Sequence, residues 1–162
     1  HPQQLRDNIQ RVAEPLGLTE TVTPLLARLD QQLLALESQP VTGSSAAFLL
    51  ATDPTKLRLA GHGTTGEAFI RLTGGHNVAD FTNYRTVSAE SLLAMDPDII
   101  ILAGQEKDRA LDSFLKSNPV LAHSRAARSG HIIAVDGSTL VAGLSLASIE
   151  EARQLTLAVK AD

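Results

Sequence analysis

A glycine-rich stretch near the middle of the chain carries the residue types best suited to binding chemistry. Residues 61 to 66 read GHGTTG and lead directly into an apolar run of helical length. A histidine can ligate a metal, threonine hydroxyls can hydrogen-bond, and the N–H groups of a helix start can hold an anion. The loop could therefore cradle a phosphate, form part of a metal site, or present His62 to a larger ligand.

The first two of these chemistries have little further support in the sequence. No Gly-Lys-Ser/Thr follows the loop, as it would in a phosphate-binding P-loop. His76, His123 and His131 are scattered, without the i, i+3 or i, i+4 spacing that places two zinc ligands on one helix face. His76 follows the helix that the loop opens, so we expect it at the opposite end of the fold from His62.

The sequence also carries no recognisable catalytic arrangement. Ser145 and Ser148 lie in GLSLASIEE, which lacks the strand, G-x-S-x-G turn and helix of a hydrolase nucleophile. The acidic residues are dispersed, so no pair of carboxylates is indicated for acid–base chemistry. We therefore predict no catalytic residues, and a binding protein rather than an enzyme.

Composition narrows the class of partner. The chain has 162 residues, enough for one domain, and its formal net charge of −4 argues against a nucleic-acid-binding surface. It contains no cysteine for disulfides or thiolate metal sites. No apolar run approaches the roughly 20 residues of a membrane span. An amphipathic helix begins at once after His1, so no signal peptide is expected within this chain.

Hydrophobic periodicity predicts the elements that position the loop. Two helices come first, one over residues 3–16 and a leucine-rich one from Thr19 to the SQPVTGSS segment. Strand and helix then alternate. Strands are predicted over 46–51, 56–60, 98–104 and 131–136, and helices over 65–73, SAESLLAMDP, 106–116 and 144–159.

The resulting fold class is α/β: a three-layer, Rossmann-like lobe with a mainly parallel sheet of four or five strands, preceded by two helices. We divide the chain into a helical arm (1–40) and an α/β lobe (41–162). Ligands of open α/β sheets bind beyond the carboxyl ends of the strands. Three loops are expected there: GHGTTG, GQEKD (104–108) and DGSTLVAG (136–143).

The order of several motifs resembles one family. The leucine-rich helix is followed by the G-x-G-T loop, then by GGHN, by VSAESLLAMDPDIIIL and by NPVLAHSRAARSGHIIAVDG. Together these are similar to the second half of the periplasmic binding proteins that serve ABC importers of haem, siderophores and cobalamin. The loop looks most like that of haem-binding members, where it often reads Gly-Arg-Gly-Thr. Here His62 replaces the arginine.

The resemblance implies an architecture in which two α/β lobes, joined by one long helix, clamp the ligand between them. Residues 18–37 resemble that helix and residues 3–16 the last helix of the first lobe. The rest of the first lobe, with the haem-ligating tyrosine usual in the family, is then missing. The implied function is to bind haem in the periplasm and deliver it to an ABC permease. The alternatives are a ferric siderophore or cobalamin as the ligand and, remotely, an α/β enzyme that binds a phosphate in GHGTTG.

The resemblance also implies the site residues. The expected ligand-facing residues are His62, Gly63, Thr64, Thr65, Tyr84 and Arg85. His62 is expected to ligate the haem iron, with Tyr84 as second choice or as a packing residue, and Arg85 to pair with a ligand carboxylate. Glu90 matches the glutamate by which such lobes dock onto their permease, although at a helix start its charge would also complement the helix dipole.

The apolar faces of the helical arm predict that copies of the chain associate. Its apolar faces, Leu5–Ile9–Val12–Leu16 and Leu25–Leu29–Leu33–Leu36, would lose their neighbours with the missing lobe. Exposed contiguous apolar patches usually mark an interface. We therefore expect a homodimer or larger assembly of the chain, with a swap of residues 1–38 onto a second copy as one route.

Overall fold

The computed structural model describes residues 2–37, 41, 43–53, 55–140 and 145–160. Its helices are α1 (Pro2–Ala13), α2 (Thr19–Glu37), α3 (Thr65–Leu72), α4 (Ala89–Met95), α5 (Lys107–Ser117), α6 (Arg125–Arg128) and α7 (Leu146–Lys160). Its strands are β1 (Ser45–Leu50), β2 (Leu57–Ala60), β3 (His76–Asn77), β4 (Tyr84–Val87), β5 (Ile99–Gly104) and β6 (Ile132–Asp136). Short 3₁₀ turns cover Pro119–His123 and Gly137–Leu140.

One mixed sheet forms the centre of the fold. Its strands follow the order β4-β2-β1-β5-β6, and β3 pairs with the start of β1. β1, β5 and β6 run parallel, whereas β2 returns antiparallel to β1 and β4 runs antiparallel to β2. Each of the four strands predicted from the sequence is present, and β1, β5 and β6 form the expected parallel part.

The prediction of four or five strands is wrong, because the sheet of the described residues has six. The two missed strands carry no hydrophobic pattern. β3 has only two residues, and in β4 the side chains of Arg85 and Thr86 are exposed while those of Tyr84 and Val87 are half-buried. β4 forms because it pairs with β2 over its whole length, from Ala60 opposite Tyr84 to Leu57 opposite Val87.

Helices cover both faces of the sheet and give the predicted three layers. Successive side chains of a strand point to opposite faces, so Phe48 and Leu49 of β1 enter different cores. The Phe48 core is covered by α3 and α7, through residues such as Phe69 and Leu155. The Leu49 core is covered by α4, α5 and α6, through residues such as Phe114. The α/β fold class is confirmed.

The helical arm packs against the lobe of its own chain. Leu29 and Leu36 of α2 are 0% and 2% exposed, in the same buried cluster as Ile149 and Leu155 of α7. The expectation that this face of the arm has no neighbour within the chain is therefore wrong, because α7, at the far end of the sequence, supplies one. The large apolar side chains of the arm that stay exposed are Val12, Leu16, Leu18, Leu25 and Leu34.

Some of the predicted features fall outside the described residues. They are the boundary between residues 40 and 41, part of the SQPVTGSS segment, and residues 141–143 of the third loop. Within the described ranges, none of the helices is both long and apolar enough to cross a membrane.

Candidate ligand-binding site

The predicted loops gather at the carboxyl ends of the parallel strands. A small cavity of about 160 Å³ lies there, between the ends of β1 and β5 and the start of α3. Its lining includes Leu50, Ala103, Thr65, Tyr84 and Gly137. Thr65 at the end of the GHGTTG loop, Tyr84 at the start of β4 and Gly137 after β6 therefore meet at one cavity.

A second, larger cavity of about 770 Å³ lies at the same edge, on the α5 side of the sheet. It lies between the turn after β1 and helix α5, with Asp53, Gln105 and Arg109 among its polar residues and Phe114 among its apolar ones. Gly137 lines both cavities, so the two are neighbours. The sequence placed the GQEKD loop at this edge but did not reveal that it borders a cavity.

The backbone of the GHGTTG loop is fastened to the segment before β4. The Gly61 N–H donates to the Asn83 carbonyl at 2.9 Å, and the His62 N–H donates to the Phe81 carbonyl at 2.7 Å. A Cβ atom on Gly61 would collide with both carbonyl oxygens, so only glycine allows this approach. Gly63 then turns the chain with φ at 77°, a conformation that side chains disfavour. The loop therefore holds His62 in a fixed position.

The Glu67 side chain, in the first turn of α3, holds the loop through hydrogen bonds. Its carboxylate accepts hydrogen bonds from His62 Nδ1 at 2.7 Å, from the Gly63 N–H at 2.9 Å and from Arg71 at 3.0 Å. Thr64 caps α3: its hydroxyl accepts from the Glu67 N–H at 3.2 Å. Sequence reasoning assigned Glu67 no role. The Thr-x-x-Glu spacing of a capping box was the signal that could have found it.

The electrostatics of the loop oppose a phosphate site. Hydrogen bonds from His62 and from the Gly63 N–H hold the pKa of the Glu67 carboxyl below its ordinary value of 4.5, against the opposing effect of burial. An ionised carboxylate thus occupies the start of α3, where a phosphate would need to bind. The side chain of His62 is 49% exposed, whereas that of Glu67 is 10% exposed. The loop therefore presents an imidazole held by a largely buried carboxylate.

Tyr84 and Arg85 lie on opposite faces of β4. Tyr84 is half-buried and packs against the Phe48 core, with the Arg58 guanidinium 5.9 Å from its ring centroid. Arg85 is exposed, and its guanidinium lies 4.8 Å from the ring centroid of Phe81. The structure thus places Tyr84 beside Thr65, while Arg85 belongs to the other side of the same strand.

Glu90 is exposed in the first turn of α4, where the Ser88 hydroxyl accepts from the Ser91 N–H at 3.0 Å. The preceding strand ends at Val87, which pairs with Leu57, and β2 begins beside the carboxyl end of β1. Glu90 is therefore on the edge that carries the two cavities. His76 pairs with Ser45 at the amino end of β1, the end opposite the two cavities.

No cluster of three or more potential metal-binding side chains occurs among the described residues. Any metal bound at His62 would therefore need most of its ligands from elsewhere, such as a macrocycle or a second lobe.

The sequence matches the profile of the periplasmic binding protein family over residues 2–139. The chain belongs to this family. A comparison with curated protein sequences gave no match.

Solved structures of other periplasmic binding proteins share the fold. The haem-binding protein HutB of Vibrio cholerae is 31% identical, with a TM-score of 0.79 over 97% of this chain and 63% of its own. A haem-binding protein from Pseudomonas aeruginosa is 27% identical, with a TM-score of 0.77 over 98% and 60%. The vitamin B12-binding protein BtuF of Vibrio cholerae is 18% identical, with a TM-score of 0.78 over 99% and 62%. This periplasmic binding protein chain thus spans 60% to 63% of their lengths.

The comparisons confirm the family resemblance and the prediction of a binding protein rather than an enzyme, since the family and these neighbours are binding proteins.

Proposed function

We propose that this chain forms one lobe of a periplasmic protein that binds haem and delivers it to an ABC permease. The arm (1–40) would then be the link to a second lobe, and the α/β lobe (41–162) one wall of the ligand cleft. Haem is the transported cargo in this proposal, and no catalytic step is involved.

The half-exposed imidazole of His62 carries the proposal. It lies on a loop fastened by Gly61 and Glu67, and the last part of this loop reaches the cavity at the carboxyl ends of the parallel strands through Thr65. A neutral imidazole is a common ligand of haem iron. Tyr84 lies beside Thr65 at the same edge and is the second candidate ligand.

The choice of haem over other chelates rests on sequence identity. The two haem-binding neighbours are 31% and 27% identical to this chain. The vitamin B12-binding neighbour is 18% identical, which supports the shared fold alone. A ferric siderophore or cobalamin is therefore the alternative ligand.

Cavity size supports a cleft with two walls. The cavity beside Thr65 and Tyr84 has about 160 Å³, whereas sites that enclose a ligand of drug size have roughly 300 to 1,000 Å³. The neighbouring cavity of about 770 Å³ falls in that range, but neither Thr65 nor Tyr84 lines it. A porphyrin lying over His62 would need cover on its other side, which a second lobe would supply. Arg85 is exposed on the face of the edge strand β4 opposite Tyr84, so it is proposed as the partner of a ligand carboxylate that extends past this edge.

Titration of the complete two-lobed protein with haemin, followed by its Soret band, tests the proposal. We expect His62→Ala to shift the band and to weaken binding on the order of tenfold or more, because one iron ligand is lost. His76→Ala is the matched control: this histidine is also exposed but lies at the amino end of β1, opposite the end with the two cavities. Haemin binding that is unchanged in His62→Ala would remove His62 from the site. Tight binding of cobalamin or a ferric hydroxamate in place of haemin would replace haem as the cargo.

A further inference from the structure

We propose that Glu67 is a positioning residue for metal ligation: it holds the His62 ring through Nδ1, so that Nε2 presents its lone pair to the metal of the bound ligand. The inference rests on the proposed function for the identity of that metal, the iron of haem. The arrangement of the ring can be tested without any ligand.

The direction of the hydrogen bond follows from the chemistry of the two groups. A carboxylate at neutral pH has no proton to donate, so at 2.7 Å from Glu67 Oε1 the His62 Nδ1 must be the donor. A neutral imidazole carries one proton. With that proton on Nδ1, Nε2 is left as an acceptor that can coordinate a metal.

The carboxylate is well suited to fix the ring. It is 10% exposed and is held by two further donors, the Gly63 N–H on Oε2 and Arg71 on Oε1. Arg71 is 72% exposed, so water competes for its contribution to this cluster. The Nδ1 edge of the His62 ring faces this buried group, so Nε2 is the ring nitrogen that this contact leaves available to a ligand.

Metal-ligating histidines commonly donate their second ring nitrogen to a carboxylate in this way. The bond fixes the tautomer and the ring orientation and makes the ligating nitrogen more basic. Loss of such a partner typically weakens metal binding about 10- to 100-fold. Glu67 would therefore act on the metal through His62, without touching the ligand.

Glu67 also fastens the loop through Gly63, so the test needs readouts that a purely structural role would not change. The first readout is the tautomer of His62 in the ligand-free protein, read from ring nitrogen chemical shifts at a pH above which they no longer change. We expect the Nδ1–H form in the wild type and a shift toward the Nε2–H form in Glu67→Gln. Arg71→Gln, which removes the other donor to the same oxygen, should keep the Nδ1–H form. An Nε2–H ring in the wild type would overturn the inference.

The second readout is haemin binding. We expect Glu67→Gln to weaken it by about 10- to 100-fold while a histidine-ligated Soret band remains, unlike in His62→Ala. Wild-type binding in Glu67→Gln, together with weakened binding in His62→Ala, would overturn the inference and leave the proposed function standing. If His62→Ala binds haemin normally, the proposed ligation fails, and the tautomer measurement still decides the role of Glu67 on the ring. A glutamine amide oxygen could still accept the hydrogen bond from His62. Glu67→Ala, with its fold checked by circular dichroism, removes this acceptor and should show the same changes.

Discussion

At the scale of single residues, one carboxylate joins the amino ends of the parallel strands β1 and β5. Asp98 accepts from the Ser45 N–H at 2.9 Å, from the Ser45 hydroxyl at 2.8 Å and from Arg125 at 2.8 Å. Its own N–H donates to the Ser45 hydroxyl at 3.0 Å. The starts of β1 and β5 are thereby joined to α6. This carboxylate stabilises the lobe at the end remote from the candidate ligand site.

We predict that Asp98→Asn destabilises the lobe by about 1–2 kcal/mol, because charged acceptors form stronger hydrogen bonds than neutral ones, while exposure of the Arg125 pair limits the loss. The Ser45 backbone bond, then the Ser45 hydroxyl and Arg125, hold the pKa of the Asp98 carboxyl below its ordinary value of 3.8. A lowered folded-state pKa gives stabilisation that is complete above the unfolded value and is lost as the pH falls through the folded value. The difference in unfolding free energy between wild type and Asp98→Asn should therefore be constant above about pH 5 and shrink in acid.

Urea unfolding at a series of pH values measures this difference. Asp96→Asn is the control, since Asp96 also pairs with Arg125 but makes none of the Ser45 bonds of Asp98. A smaller loss is expected from it. A difference between wild type and Asp98→Asn that stays constant into acid would show that the charge of Asp98 contributes no stability.

At the scale of elements, the packing of α2 on α7 decides whether the arm is an integral part of the lobe. We predict that Leu29→Ala destabilises the protein by about 2–5 kcal/mol, because Leu29 is 0% exposed and its truncation leaves a cavity. Leu34→Ala, on the same helix, should change stability by less than about 0.5 kcal/mol, because Leu34 is 65% exposed. Denaturant unfolding of both variants measures the contrast.

The same pair of variants bears on the expected assembly. If a second copy of the chain covered Leu34, Leu34→Ala would be destabilising and the unfolding midpoint would depend on protein concentration. Equal small losses in both variants would mean that α2 does not contact α7 as the structure shows. The comparisons with solved structures lend no support to a homodimer, and the packing of α2 removes much of the reason for expecting one.

The elements that the sequence predicted well are those with strong internal patterns. β5 reads as a continuous apolar run, and Ser88 marks the start of α4 as an N-cap. The sequence did not reveal that the apolar face of α2 packs on α7, because no local pattern links the two helices. The contact joins residues far apart in the chain, as the Gln32–Glu150 hydrogen bond of 3.1 Å shows. At the site, the GHGTTG loop was visible from its glycines. The hydrogen bond from Gly61 to Asn83 was not predicted, nor was strand β4, which places Tyr84 and Arg85 on opposite faces. Both depend on pairing with distant residues, which local patterns do not encode.

At the scale of the whole molecule, three helices begin at one edge. α3, α4 and α5 each start where the parallel strands end, so the first turns that hold Thr65, Glu90 and Asp108 face the same side of the lobe. Helix starts carry partial positive charge, and Glu90 and Asp108 both complement it at the second position of their helices. In the proposed function, these acidic side chains would be available to a basic partner.

We predict that Glu90→Lys in the complete protein weakens binding to its permease on the order of tenfold and slows haem uptake, while haemin affinity stays at the wild-type value. A charge reversal opposite a basic pocket replaces attraction with repulsion. Asp108→Lys is the matched control, because it is exposed, occupies the same position in its helix and loses the same interaction with the helix dipole. Normal permease binding and uptake in this control would assign the defect to Glu90 itself. Equal defects in both variants would point to the overall charge of the edge, and normal permease binding in Glu90→Lys would leave the residue with its helix-capping role alone.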